Sequence, residues 1–187
     1  MSVLAPYHLA VEKLPHPKDG TCDTLDMNGF GQTNDYSCGY AAIAMVIDAF
    51  TALPKDKRGM YEDIDAMTAK LEEAWHTLKP DEEFGSSTTS IIRTIRKLGM
   101  GVSAKDDLTF KSICQYISDG YPIITTVRTS IPDTDHWVVL YGVGEKPNRV
   151  YMAGTYFLSG ATHRNLWPHF RRNWSPNGFG LLCWGYE

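Results

Sequence analysis

Between residues 38 and 118, apolar residues recur at intervals of three and four. This is the spacing of helices that bury one face. The pattern predicts helices over residues 38–50, 61–78, 86–98 and 108–118. Pro80 ends the second of these helices. Gly99 stands just past the third, where helices commonly end with a glycine in the left-handed conformation. We therefore expect the first half of the chain to be helical.

The pattern changes beyond residue 121, where β-branched and aromatic residues form short runs typical of strands. These runs predict strands over residues 122–127, 137–143, 149–153 and 180–184, with one short amphipathic helix over 166–174. Residues 1–27 are rich in Pro, Gly, Asp and Asn and are expected to form an N-terminal arm or irregular lead-in. A helical half followed by a sheet half predicts an α+β fold over residues 28–187, rather than alternating strand–helix units.

The composition narrows the class of partner. The 187 residues fit one domain, or two lobes that share one site. A formal net charge of -4 and a pI near 5.8 argue against nucleic acid as a partner. No run approaches the ~18 apolar residues of a membrane span, and the first residues lack the basic start and apolar core of a classical signal peptide. We therefore expect a cytoplasmic protein with no membrane partner, and the oligomeric state stays open.

The four cysteines are far apart, and no two of them form a Cys-x-x-Cys pair. A zinc site of the ribbon or finger type is therefore unsupported, and reduced thiols are the simpler interpretation. Cys114 and Cys183 lie in apolar surroundings and are expected to be buried. His163 and His169 lie close together in the sequence, but no third metal ligand accompanies them. We expect neither a metal nor a cofactor.

Cys38 falls at the first turn of the first predicted helix. Main-chain N–H groups at a helix N-terminus stabilise negative charge, so a thiol at this position is expected to shift toward thiolate. Gln32, six residues upstream, offers an amide donor to the oxyanion that forms when a thiolate attacks a carbonyl. One short stretch thus contains a candidate nucleophile and a candidate oxyanion donor.

His136 directly precedes the predicted strand over residues 137–143 and follows a polar loop. A base at the rigid end of a strand is well placed to reach a nucleophile across a cleft. Taken singly, a histidine at a strand start is more often structural, and a cysteine in an apolar helix is often a small buried hydrophobe. The order of helix cysteine and strand histidine, together with Gln32, favours a catalytic pair of Cys38 and His136.

Gln32 with Cys38-Gly39, the downstream run over residues 135–142 and the closing Phe170 and Trp174 resemble the papain-like fold. In particular they resemble the double-glycine leader (bacteriocin-processing) peptidase domains and their free-standing relatives, over residues 28–187. The resemblance implies a helical lobe with the cysteine helix, packed on an antiparallel β-sheet lobe with the histidine. It also implies a cysteine peptidase that acts on a peptide or protein, with Cys38 as nucleophile, His136 as imidazole partner and Gln32 as oxyanion donor. With an amine instead of water as acceptor, the same chemistry transfers acyl groups.

One position departs from that family pattern. In such enzymes an Asp or Asn at the end of the next strand orients the imidazole, and here Gly154 stands at that position. Asn148, Thr155 and Asn165 are candidates for the missing group, although turn and loop roles are the commoner ones for these residues. If the position is empty, Gly154→Asp should raise the hydrolytic rate by fixing the imidazole tautomer. The alternative to an enzyme is a catalytically degenerate peptide-binding module of the same fold.

Overall fold

The computed structural model describes residues 6–16, 20–30, 32, 34–51, 64–129, 134–145, 148–154 and 162–186. The helices are α1 (Cys38–Ala49), α2 (Ile64–Leu78), α3 (Thr88–Lys97), α4 (Phe110–Ser118) and α5 (Trp167–Asn173). The strands are β1 (Pro6–Tyr7), β2 (Val11–His16), β3 (Gly20–Leu25), β4 (Gly101–Lys105), β5 (Ile123–Arg128), β6 (Asp135–Glu145), β7 (Asn148–Ala153), β8 (Thr162–Leu166) and β9 (Gly180–Tyr186). All five predicted helices and all four predicted strands are present; residues 61–63 of the second predicted helix lie outside the described residues.

Helix α1 is the central element, and its residues from Cys38 to Asp48 are all buried. A helix that is apolar on every side has to be enclosed by other elements, and α1 packs on α2 and on β6. Gly39 lets the first turn approach the segment before α3, because a Cβ there would lie 2.5 Å from the Ser86 side chain. The start of α1 is thereby held against the chain around Ser86.

Local signals fix the ends of α3 and α4. The Ser87 side chain accepts a hydrogen bond from the main-chain N–H of Ser90 and begins α3, and Thr109 forms a capping box with Ser112 at α4. Gly99 adopts a φ of 81° just past α3, as predicted from the sequence. None of the described helices is long and apolar enough to cross a membrane.

The strands form one antiparallel sheet in which β6 has three partners. Strand β5 runs along the first half of β6, from Arg128 opposite Asp135 to Ile123 opposite Leu140. Strand β3 pairs with the second half, and β7 pairs with β6 as far as Ala153, which lies opposite Val139. Beyond this centre, β9 pairs with β1, β4 and β5.

The N-terminal segment differs from the arm or irregular lead-in expected for residues 1–27. Strands β2 and β3 form a hairpin, and β3 extends the main sheet by pairing Asp23 with Val143 of β6. Strand β1 pairs with β9. These strands are short and largely polar, so they lack the hydrophobic alternation by which a strand is recognised. Residues 1–5 and 17–19 lie outside the described residues.

Strands β4 and β8 were also not predicted, for a related reason. Each pairs with one neighbour, β4 with β9 and β8 with β7. A strand at a sheet edge needs no continuous apolar run, and β8 has the polar sequence THRNL. The predicted α+β class is confirmed: α1, α3 and α4 pack against the sheet, and α2 packs on α1 and α3.

Candidate active site

Cys38 is the first residue of α1 and is 8% exposed. The helix N-cap, Ser37, makes no side-chain capping bond; its Oγ instead donates to Asn34 O at 3.1 Å and accepts from Asn34 N at 3.2 Å. The main-chain N–H groups of Cys38 and Gly39 interact with the sulfur. The hydroxyl that would normally cap the helix is thus turned back into the preceding turn, and the first N–H groups face Cys38 Sγ.

The strand that carries His136 reaches the same sulfur. His136 is the second residue of β6, and the main-chain N–H of the next residue, Trp137, donates a hydrogen bond to Cys38 Sγ. The indole Nε1 of Trp137 donates to the main-chain oxygen of Ser86 at 2.9 Å. The start of β6 is therefore fixed both to the cysteine and to the segment that packs on Gly39.

The His136 ring has a defined partner. Its Nε2 lies 2.5 Å from the main-chain oxygen of Gly154. Because a carbonyl oxygen only accepts hydrogen bonds, Nε2 must carry the hydrogen. In a neutral imidazole this leaves Nδ1 unprotonated and able to accept a proton.

Gln32 is connected to the turn that precedes α1. It is 3% exposed, and its Nε2 donates to Asn34 O at 2.7 Å. Its Oε1 is buried and accepts no hydrogen bond from the residues that the structure describes. An amide nitrogen has two hydrogens, so Nε2 keeps one donor beyond its bond to Asn34. The turn of residues 34–37 therefore links Gln32 to the residue before Cys38.

The electrostatics reverse one expectation from the sequence. Burial raises the pKa of the Cys38 thiol, and the N–H groups of Trp137, Gly39 and Cys38 offset that rise only in part. Burial lowers the pKa of His136, while its bond to the Gly154 carbonyl partly opposes the shift. The N–H groups at the helix N-terminus act toward thiolate, as expected, but desolvation of a nearly enclosed sulfur is the larger effect and the pKa of Cys38 is raised. At neutral pH the resting site contains a thiol and a neutral imidazole.

The sequence offered Asn148, Thr155 and Asn165 as candidates for the side chain that orients the His136 imidazole. Asn148 stands opposite Glu145, at the far end of β6 from His136, and Asn165 stands opposite Val150. Thr155 lies outside the described residues. Gly154 itself has a φ of 86°, and a Cβ there would lie 2.7 Å from Met45 Cε. The structure thus argues against the expected gain from Gly154→Asp, since any side chain there strains the backbone and collides with α1.

A groove lies beside the Cys38–His136 pair. It has a volume of about 540 Å³, and Trp137, Ser86, Phe84 and Asp135 contribute to its walls. Phe84 is 81% exposed at its rim. The groove therefore borders the two residues that flank His136 in the sequence, Asp135 and Trp137.

Other groups named from the sequence take different roles. Cys183 is buried, and burial raises the pKa of its thiol; Cys114 is half-buried on α4. His169 is exposed, and no three potential metal ligands cluster among the described residues. Two main-chain groups of the candidate site could not be predicted from the sequence, the N–H of Trp137 and the oxygen of Gly154. The one sequence feature related to them is Gly154 itself, which stands where such enzymes usually have an Asp or Asn.

Solved structures share this architecture. The peptidase domain of Streptococcus ComA, a bi-functional ABC transporter involved in a quorum sensing pathway, is similar with a TM-score of 0.62 at 18% identity, over 84% of this chain and 98% of that one. A double glycine motif protease from an AMS/PCAT transporter, solved in complex with the leader peptide, has a TM-score of 0.57 at 16% identity, over 98% of this chain and 99% of that one. The peptidase domain of Streptococcus mutans ComA has a TM-score of 0.54 at 19% identity, over 83% and 98%.

These similarities confirm the predicted papain-like arrangement of a cysteine helix on an antiparallel sheet that carries the histidine. None of the curated proteins matches the sequence. The family model described as the Peptidase_C39 like family matches residues 24–181, which is most of the chain. With its cysteine-peptidase-type fold, the chain therefore belongs to the Peptidase_C39 like family.

Proposed function

We propose that this protein is a cysteine peptidase that cleaves a peptide amide through an acyl-enzyme on Cys38, with His136 as acid and base. The observation that carries the proposal is the joint between α1 and β6, where the N–H after His136 donates to the sulfur of Cys38. Nucleophile and base need to lie within reach of each other, and this hydrogen bond holds the Cys38 sulfur against the residue that follows His136. The bond from Nε2 to Gly154 leaves Nδ1 as the basic atom.

The first half of the reaction follows from these groups. Nδ1 of His136 accepts the thiol proton as Cys38 Sγ forms a bond to the substrate carbonyl carbon. The carbonyl oxygen becomes an oxyanion, to which Gln32 donates its remaining amide hydrogen. The imidazolium then protonates the amide nitrogen, the C–N bond breaks and the amine leaves, so that an acyl-enzyme remains.

The second half of the reaction repeats these steps, with water as the group that accepts the acyl chain. A water molecule gives its proton to Nδ1 and attacks the thioester carbon, and the C–S bond then breaks as the sulfur regains a proton. An amine in place of water gives acyl transfer. Because Cys38 rests as a thiol, each turnover begins with proton transfer to His136 rather than from a preformed ion pair.

A peptide with two glycines before the cleaved bond is the substrate class that we propose. The support is the similarity in fold to a double glycine motif protease solved with a leader peptide, and the groove of about 540 Å³ next to the start of β6. The test is incubation with a synthetic peptide that contains such a pair, followed by mass spectrometry of the products.

We expect Cys38→Ala and His136→Ala to abolish cleavage, and Cys114→Ala, a second reduced cysteine on α4, to retain it. Gln32→Ala should lower kcat by about 10²–10³-fold with the fold intact, because it removes one oxyanion donor. Gln115→Ala, which removes an exposed amide bonded to Asp119, is the matched control. Cleavage that survives in Cys38→Ala would rule the proposal out.

The protonated state of Cys38 favours a second candidate, a degenerate peptide-binding module of the same fold. This candidate predicts that wild-type protein forms no product, while peptide binding is equal in wild type and Cys38→Ala. Trapping with an epoxide separates the two, because an active site must label at Cys38 in preference to Cys114. Product formation by wild type excludes the binding module.

A further inference from the structure

We propose that the main-chain carbonyl of Gly154 is the group that orients His136, so that the third position of the catalytic set is filled by backbone instead of a side chain. The inference rests on the proposed peptidase function and names its positioning group. It starts from the hydrogen bond of 2.5 Å between His136 Nε2 and Gly154 O. The sequence places no side chain at this position, but the structure places an acceptor there.

The geometry explains why the residue is glycine. Gly154 follows β7 directly and has a φ of 86°, a conformation in which L residues with a Cβ are strained. A Cβ would also lie 2.7 Å from Met45 Cε, on α1. Met45 stands seven residues after Cys38, about two turns further on the same face of the helix. The helix that carries the nucleophile therefore leaves no space for a side chain at 154 and brings the carbonyl to the imidazole.

The Gly154 carbonyl, a neutral acceptor, affects the protonation of His136 differently from a carboxylate. The carbonyl fixes the tautomer with the hydrogen on Nε2, which directs the unprotonated Nδ1 to the thiol. It brings no negative charge that would hold the ring as imidazolium in the resting state. This agrees with a resting pair of thiol and neutral imidazole.

The direct test is the tautomer of His136 in the wild-type protein, measured by ¹⁵N NMR of histidine-labelled protein and assigned with His136→Gln. We expect a neutral ring with its hydrogen on Nε2 and slow exchange of that hydrogen with solvent. A hydrogen on Nδ1, or two tautomers in exchange, would overturn the proposal. The measurement needs neither turnover nor a variant of Gly154.

A second test compares two glycines with similar backbone conformations. Gly99 has a φ of 81°, and a Cβ there would contact nothing within 4 Å. Gly99→Ala therefore carries comparable backbone strain away from the site. Gly154→Ala should lower kcat about 10²-fold with little change in KM, as expected when a catalytic group is displaced by about 1 Å, and should lose the single Nε2–H tautomer. Gly99→Ala should keep both.

Equal losses of kcat in Gly154→Ala and Gly99→Ala would contradict the positioning role. The two proposals fail in different ways. A wild-type protein with the Nε2–H tautomer but no peptide cleavage would leave the positioning inference standing and remove the peptidase function. Cleavage by a protein whose His136 carries its hydrogen on Nδ1 would do the reverse.

Discussion

The two candidate catalytic residues are both buried, and burial shifts their pKa values in opposite directions. It raises the pKa of the Cys38 thiol and lowers the pKa of His136, so both groups rest uncharged at neutral pH. That Cys38 lies against the strand that carries His136 could be predicted from the residue types and their order along the chain. The protonation states of the two residues could not, because desolvation depends on how the whole fold encloses them.

The pH dependence of Cys38 alkylation follows from this. A buried thiol with a raised pKa should react slowly with iodoacetamide at pH 7. Its reaction rate should still increase as the pH rises above 9.0, the ordinary pKa of a cysteine thiol, because the pKa of Cys38 lies above that value. Turnover needs neutral His136, so activity should persist down to pH 6.5 and fall only below it. Both rates are measured on wild type, with Cys38→Ala as the background. An alkylation rate already at its plateau at pH 7 would show a thiolate and contradict the assignment.

At the scale of elements, the helices and strands with strong apolar periodicity could be predicted from the sequence, whereas the strands at the edges of the sheet could not. Helix α1 and strand β6 could be recognised because their apolar runs are buried. Strand β8, with its polar sequence, pairs only with β7 and has no such run. Its position depends on backbone hydrogen bonds to a neighbour, which residue types alone do not specify.

The contact between α1 and the segment before α3 gives a prediction at this scale. Gly39→Ala should destabilise the protein by about 1–3 kcal/mol, the usual cost of overpacking, because its Cβ would lie 2.5 Å from Ser86. Ser86→Gly should restore most of the loss when combined with Gly39→Ala. Urea unfolding of wild type, both single variants and the double variant measures the coupling. Additive effects of the two substitutions would show that this contact does not set the packing.

At the scale of the whole molecule, the indole of Trp137 connects the helical and sheet parts beside the site. Its Nε1 donates to Ser86 O from a residue that is 7% exposed. Trp137→Phe keeps the ring in the core but leaves a buried carbonyl without its donor, which costs about 1–3 kcal/mol. The fold class could be predicted from the order of elements, whereas this link joins residues 51 apart and has no signature in the sequence.

We expect Trp137→Phe to lower the free energy of unfolding, and also kcat, because without the indole bond to Ser86 the main-chain N–H of residue 137 is held less firmly against Cys38. Trp167→Phe is the matched control, because Trp167 packs its ring against Phe110 and Phe170 on another part of the surface. Thermal unfolding and peptide cleavage are measured on both variants. A loss of stability with unchanged kcat would separate the link between the two parts from catalysis.

The position at which β7 ends determines whether the main-chain N–H of Trp137 can reach Cys38. The last residue of β7, Ala153, lies opposite Val139, and Gly154 then turns away with a φ of 86°. Two residues before Val139, the N–H of Trp137 donates to a sulfur. The start of β6 is paired with β5, but β7 does not extend along it, and a main-chain N–H there donates to the candidate nucleophile. Two more β7 residues paired in register would bring the ladder to Trp137 and compete with Cys38 for that N–H, so the length of this strand, as much as the identity of any side chain, sets the geometry of the candidate site.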